Sequence, residues 1–250
     1  MKTQYKKLRG LIPGYALLPL LFAAAFNGLV YSGSKLISAG WTHYNPTSFL
    51  DGYIPFIPQF LIIYLGCYLF WIVNYILIAC QDKEECYRFF TADFLSRVIC
   101  LIFFLAFPTT NQRPLLQDSG FWNQAVGLLY SVDTPVNLFP SIHCLVSWFC
   151  YIGIRKNTKI PLWYRRGSCV MAILVFISTL VTRQHVIADV AGAVILAEVS
   201  LRVGQIPALW KTYGRVFDHL GIFIERHRNR KKLPAHYNHR KKQRSQYHEA

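Results

Sequence analysis

Apolar residues gather in long uncharged runs separated by short charged segments. The stretches 10–34, 52–81, 98–112, 134–154 and 167–182 contain no Asp, Glu, Lys or Arg, and a weaker run, 190–201, is interrupted by Glu198. A helix that crosses a bilayer takes about 20 mainly apolar residues, and tilt or snorkelling absorbs a mismatch in length. The pattern therefore predicts about six spans. The third is completed by 94–97, with Arg97 snorkelling inward, and the sixth carries Asp189 as well as Glu198. The expected fold class is an all-α integral membrane protein with about six transmembrane helices.

The charges between the runs set the orientation, because lysine and arginine are retained on the cytoplasmic side. Lys2, Lys6, Lys7 and Arg9 precede the first run, Lys83 and Arg88 follow the second, and Lys156, Lys159, Arg165 and Arg166 follow the fourth. The alternate side holds only Lys35, Arg113 and Arg183. Both termini are thus expected in the cytoplasm, in keeping with an even number of spans, and the loops 33–56, 109–139 and 183–185 face outward. The first apolar run is too long for the h-region of a signal peptide and reads as a retained helix.

Composition agrees with this picture: at 53% hydrophobic and 16% aromatic residues the chain is of membrane type. The net charge of +15 comes largely from the C-terminal end, where 226–244 holds nine Lys or Arg and no acidic residue. The expected organisation is a membrane domain over 1–210 and a basic, disordered cytoplasmic tail over 211–250, attracted to anionic lipid headgroups. Basic tails beside membrane spans are ordinary, so no nucleic-acid partner is expected. The seven cysteines lie mainly within spans or on the cytoplasmic side without a zinc-binding spacing, and read as small packing residues. No metal site is expected.

Ionisable residues at the ends of apolar runs are costly in a membrane and mark functional sites. Three such segments share the outer face: Arg113-Pro114, Phe139-Pro140-Ser141-Ile142-His143, and Thr182-Arg183-Gln184-His185 followed by Asp189. His185 and Asp189 are four residues apart, one helical turn, so the carboxylate can accept the proton of one imidazole nitrogen and leave the other as a lone pair. Pro140 and Ser141 have the character of a helix start, with Ser141 as cap and backbone N–H groups near Ser141, Ile142 and His143 free to bind an anion. His143 would then stand beside a bound phosphate as a proton donor. Arg113 offers a guanidinium that matches phosphate oxygens with paired hydrogen bonds. Arg183 is a candidate second cation or an interfacial anchor. Glu198 either pairs with Arg202 or faces a cavity.

This ordered set, with Ser178 seven residues before His185, resembles the three-part signature of the phosphatidic-acid phosphatase type 2 superfamily, which includes acid phosphatases and vanadium haloperoxidases. The resemblance covers roughly 57–200. It departs from the usual pattern at Ala106, where the family has a lysine, at Ile142, where it has glycine, and at Thr179, where it has arginine. The Ser178-Thr179 and Gln184-His185 pattern is more similar to the branch of membrane phosphatases that includes inositol-phosphotransferase-like proteins.

The resemblance implies that His185 attacks phosphorus to form a phosphohistidine, that Asp189 orients it, and that His143 protonates the leaving oxygen and later activates water. Arg113 and Ser141 would bind the phosphate, with the Ile142 amide and Arg183 as further candidates. No cofactor or metal is implied. The expected activity is hydrolysis of a phosphate monoester or diphosphate of a lipid, phosphatidic acid or a polyprenyl diphosphate, at the extracytoplasmic face of the plasma membrane. The alternatives are a lipid phosphotransferase and a non-catalytic lipid-binding or transport protein.

Overall fold

The computed structural model describes residues 12–116 and 120–230. Apart from a single bridge between Tyr44 and Thr109, the regular structure of these residues is helical. Helix α1 runs over Gly14–Ser38 with a π turn at Leu29–Gly33. It is followed by the short α2, Phe49–Gly52, then α3, Leu61–Ala79, α4, Lys83–Ala106, and α5, Phe121–Val132. The order continues with α6, Ile142–Ile152, α7, Leu162–Val181, α8, Ile187–Gly204, and α9, Pro207–Arg230.

The chain is an all-α membrane protein. Among the described residues, four helices are long and apolar enough to cross a bilayer: α1, α3 with its Pro58–Phe60 lead-in, α4 and α7. The fourth and sixth expected spans also correspond to helices, but of different character. Helix α6 has 11 residues, roughly 16 Å at 1.5 Å per residue, about half a hydrocarbon core. Helix α8 carries Asp189, Glu198 and Arg202. Both pack within the bundle, α6 on α3, α7 and α8, and α8 also on α4, while α8 leaves Ile195 and Val199 exposed.

The third expected span shifts toward the N-terminus. Asp82 caps α4 by accepting from the Glu85 amide at 3.1 Å, and the helix ends at Ala106, so 107–116 form an irregular segment. Arg97 does not snorkel. It is 1% exposed and pairs in place with Asp93, one turn earlier, at 2.9 Å, while Tyr75 donates to the same carboxylate at 2.6 Å. The local pair satisfies the charge that snorkelling would otherwise relieve. Glu198 does not take Arg202 as its partner either. It accepts from both Arg155 amino groups, at 2.7 and 2.9 Å, and from the Trp148 indole at 3.1 Å, tying α8 to the end of α6.

The expected tail begins later than 211. Tyr213 and Phe217 stack at 4.5 Å and pack on Phe94 of α4 and Phe22 of α1, and Asp218 takes Lys83 and the Tyr87 hydroxyl. That apolar, hydrogen-bonded face sustains a helix where charge density alone suggested disorder. The basic stretch beyond it, 231–250, lies outside the described residues, as do Lys2, Lys6, Lys7 and Arg9.

Close approach of α8 to α4 depends on small residues. Ala193 and Ala197 are fully buried, and a Cβ built on Gly204 would stand 2.7 Å from the Arg88 carbonyl oxygen and 2.8 Å from the Ala92 Cβ. Backbone cannot swing aside as a side chain can. Gly204→Ala is expected to destabilise the protein by about 1–3 kcal/mol, read as a lowered thermal unfolding midpoint in detergent; an unchanged midpoint would contradict this packing.

Candidate active site

The three signature segments converge where α6 and α8 begin. Ser141, fully buried, is the N-cap of α6: its Oγ accepts from the Cys144 amide at 3.3 Å, and its own amide donates to the Asp189 carbonyl at 3.2 Å. Helix geometry leaves the first-turn amides of Ile142 and His143 without intrahelical partners. Before α8 the chain doubles back, since the Gln184 and His185 amides both donate to the Thr179 carbonyl, at 2.9 and 3.1 Å. Arg183, at φ 55°, makes the reversal.

Asp189 caps α8 from its third position. Its Oδ2 accepts from the Val186 amide and from His185 Nδ1, each at 3.1 Å. Asp189 is fully buried and His185 is 8% exposed. An ionised carboxylate only accepts, so the shared proton resides on Nδ1 and the lone pair on Nε2. The two residues meet across the helix start and not along a helix face: His185 precedes α8, and Asp189, at its third position, reaches back to orient the imidazole.

His143 lies across from it, with ring centroids 6.0 Å apart. It is enclosed by one face of α3: Tyr64 stacks on it at 4.6 Å, Trp71 lies at 5.5 Å, and the Tyr68 hydroxyl is 3.4 Å from Nε2. These three aromatics were missed from sequence, although their spacing at i, i+4 and i+7 in an apolar run is legible once a partner face is sought.

Arg113 closes the site from the segment after α4. It donates to the carbonyl of Asp133 at 2.6 Å and to Gln184 Oε1 at 2.7 Å, and lies over the Tyr130 ring at 4.3 Å. Burial lowers its pKa against the opposing pull of Asp133, yet a guanidinium remains charged at any relevant pH. Arg113 Nε and Gln184 Nε2 are buried donors without a hydrogen-bond partner among the described residues. Two such donors on one bonded pair suit the oxygens of an anion.

Arg183 is not brought into this group. Its amino groups donate to the carbonyls of Asp51, at 2.8 Å, and Ile54, at 2.5 Å, so the side chain anchors the 51–57 loop. Ser178 and Thr179 are fully buried and bond back to their own helix. Conversely, Lys35, Asp133 and Gln184 were not among the site residues expected from sequence. The signal for Lys35 was present, because it is one of three cations in the loops that the charge pattern assigns to the same side as the signature segments.

The site is thus a histidine pair in a helical membrane protein, one ring locked to a buried carboxylate and a guanidinium at the rim. The sequence signature of the PAP2 superfamily matches residues 48–203, and the chain belongs to that superfamily. Membership supports a phosphatase-type function. No curated protein and no solved structure matches the chain.

Proposed function

We propose that this protein is a membrane lipid phosphatase that hydrolyses a phosphate monoester or diphosphate of a lipid at the extracytoplasmic face, through a phosphohistidine at His185. The observation that carries the proposal is the pair of imidazoles 6.0 Å apart, one of them bonded to Asp189. That spacing brings both rings to one site, where one imidazole can meet phosphorus and the other the leaving oxygen.

In the first step His185 Nε2 forms a bond to phosphorus as the bond to the lipid oxygen breaks, and His143 gives that oxygen its proton. The positive charge that develops on the His185 ring is stabilised by Asp189, which keeps accepting from Nδ1. In the second step His143 takes a proton from water, the water oxygen attacks phosphorus, and the N–P bond breaks to release phosphate. Arg113, the Gln184 amide and the first-turn amides of α6 supply donors to the equatorial oxygens, where charge accumulates. Arg183 takes no part in this scheme beyond holding the loop that precedes α3. The one-sided distribution of Lys and Arg supports an extracytoplasmic site, and the apolar surfaces of α1, α3 and α7 that face outward support a lipid substrate.

Phosphate release by the purified protein in detergent micelles tests the proposal, against phosphatidic acid, lysophosphatidic acid, diacylglycerol diphosphate and a polyprenyl diphosphate. Release from at least one of these, inhibited by vanadate, is the expected result. Appearance of a new phosphorylated lipid without inorganic phosphate would identify a transferase instead, and no turnover of any member would overturn the reading.

A further inference from the structure

The phosphoryl-transfer steps make no use of an ion pair that stands directly behind His143. Lys35 of α1 pairs with Asp133 Oδ1 and donates to the Thr134 carbonyl at 3.2 Å, and the Tyr31 hydroxyl donates to the same carboxylate oxygen at 2.5 Å. The charged side chains are only 15% and 18% exposed. Asp133 Oδ2 lies 3.5 Å from the Tyr64 hydroxyl, and the Tyr64 ring is the one stacked on His143 at 4.6 Å. The Asp133 carbonyl receives Arg113 at 2.6 Å. One residue therefore touches the partner of the acid–base histidine and the phosphate-binding cation together.

Helix α1 grips the same loop a second time, where Asn137 donates to Ser38 Oγ at 2.8 Å and to Ser34 Oγ at 3.2 Å, three residues before Pro140 opens the turn into α6. Burial would raise the Asp133 carboxyl, yet the Lys35 ammonium and the Tyr31 hydroxyl hold it below the usual carboxylate range. The pair is thus a buried anion with its own counterion. Neither Lys35 nor Tyr31 falls within the matched residues 48–203.

We propose that Lys35 and Asp133 are a positioning pair of the active site: Lys35 neutralises Asp133, and Asp133 holds Tyr64 against His143 and Arg113 at the rim, making the first helix part of the catalytic apparatus. The proposal rests on the phosphohistidine reading above. The ionisable groups that act on His143 are Tyr64 and Tyr68 from α3, Lys35 from α1, Asp133 from the loop before α6, and His185 just before α8. Among these groups, Lys35 and Asp133 are paired opposite charges that can be removed one at a time.

Lys35→Met leaves the Asp133 anion uncompensated, which favours the protonated imidazole, so the limb of the pH profile that reports the His143 proton moves up by roughly one unit. Asp133→Asn leaves the Lys35 cation and moves the limb down by a similar amount. The double variant Lys35→Met/Asp133→Asn returns it toward wild type. Each single change lowers kcat with an aryl phosphate by about 10- to 100-fold, and Lys35→Arg recovers most of the loss.

The decisive measurement is an NMR titration of His143 in histidine-labelled protein in micelles, assigned by comparison with His143→Gln. It needs no turnover, so failure of phosphate release in the wild type sinks the phosphatase reading while the titration still judges the pair. Opposite shifts in the two single variants, cancelled in the double, are expected. Shifts of the same sign, no shift, or a double variant displaced as far as a single one would overturn the proposal. If Asp133→Asn does not fold, Lys35→Gln beside Lys35→Met supplies the second reading of the upward arm.

Discussion

Replacing His185 by alanine is expected to abolish phosphate release and covalent labelling by a phosphate donor, a loss on the order of 10⁶-fold if the nucleophile behaves as it does in protease triads. The substitution removes the Nε2 lone pair and leaves Asp189 with the Val186 amide as its remaining bond, so α8 keeps its cap. His185→Gln retains a polar partner for the carboxylate and guards against a folding artefact. The contrast with His143→Ala gives the prediction its force. Loss of the acid–base group slows departure of a lipid alkoxide severely, and that of an aryl phosphate much less, because a good leaving group needs little protonation. The label on His185 should therefore persist in His143→Ala with an aryl substrate. Near wild-type release by folded His185→Ala would remove the phosphohistidine mechanism, and with it the proposed function.

The site was legible in sequence to the extent that it is local. His185 and Asp189 are four residues apart and meet through the capping turn at the start of α8, and Ser141 caps the helix that carries His143, so both contacts are short-range. Arg113 was legible through its placement at the end of an apolar run. Arg183 shows the limit of that reasoning: it sits two residues from His185, yet the backward turn at its positive φ sends its guanidinium to Asp51 and Ile54. Lys35 and Asp133 are 98 positions apart and meet only because α1 packs beside the loop before α6, which no periodicity records. In the fold, hydropathy located the four helices long and apolar enough to cross a bilayer, but it misjudged Arg97 and the start of the tail. A partner one turn away and an aromatic face on α9 each outweighed the raw charge count.

Asp189→Asn is expected to cost about 10³- to 10⁴-fold in kcat while leaving the protein folded, the range found when the carboxylate behind a catalytic histidine becomes an amide. The carboxylate can only accept, which fixes the proton on His185 Nδ1 and the lone pair on Nε2. An amide can present its N–H₂ to Nδ1 instead, which moves the ring proton to Nε2 and removes the nucleophile's lone pair in that tautomer. The negative charge that stabilises the phosphorylated imidazolium is lost in the same change. The structural cost is smaller: one oxygen accepts both bonds, so an amide N–H₂ turned to Nδ1 gives up the Val186 bond, and weakening of the cap amounts to about 1 kcal/mol. A kcat measurement paired with a thermal unfolding midpoint separates the two effects. A variant that keeps a tenth or more of wild-type kcat would show that Asp189 serves α8 alone, and that the orientation of His185 is set by something other than the 3.1 Å bond between them.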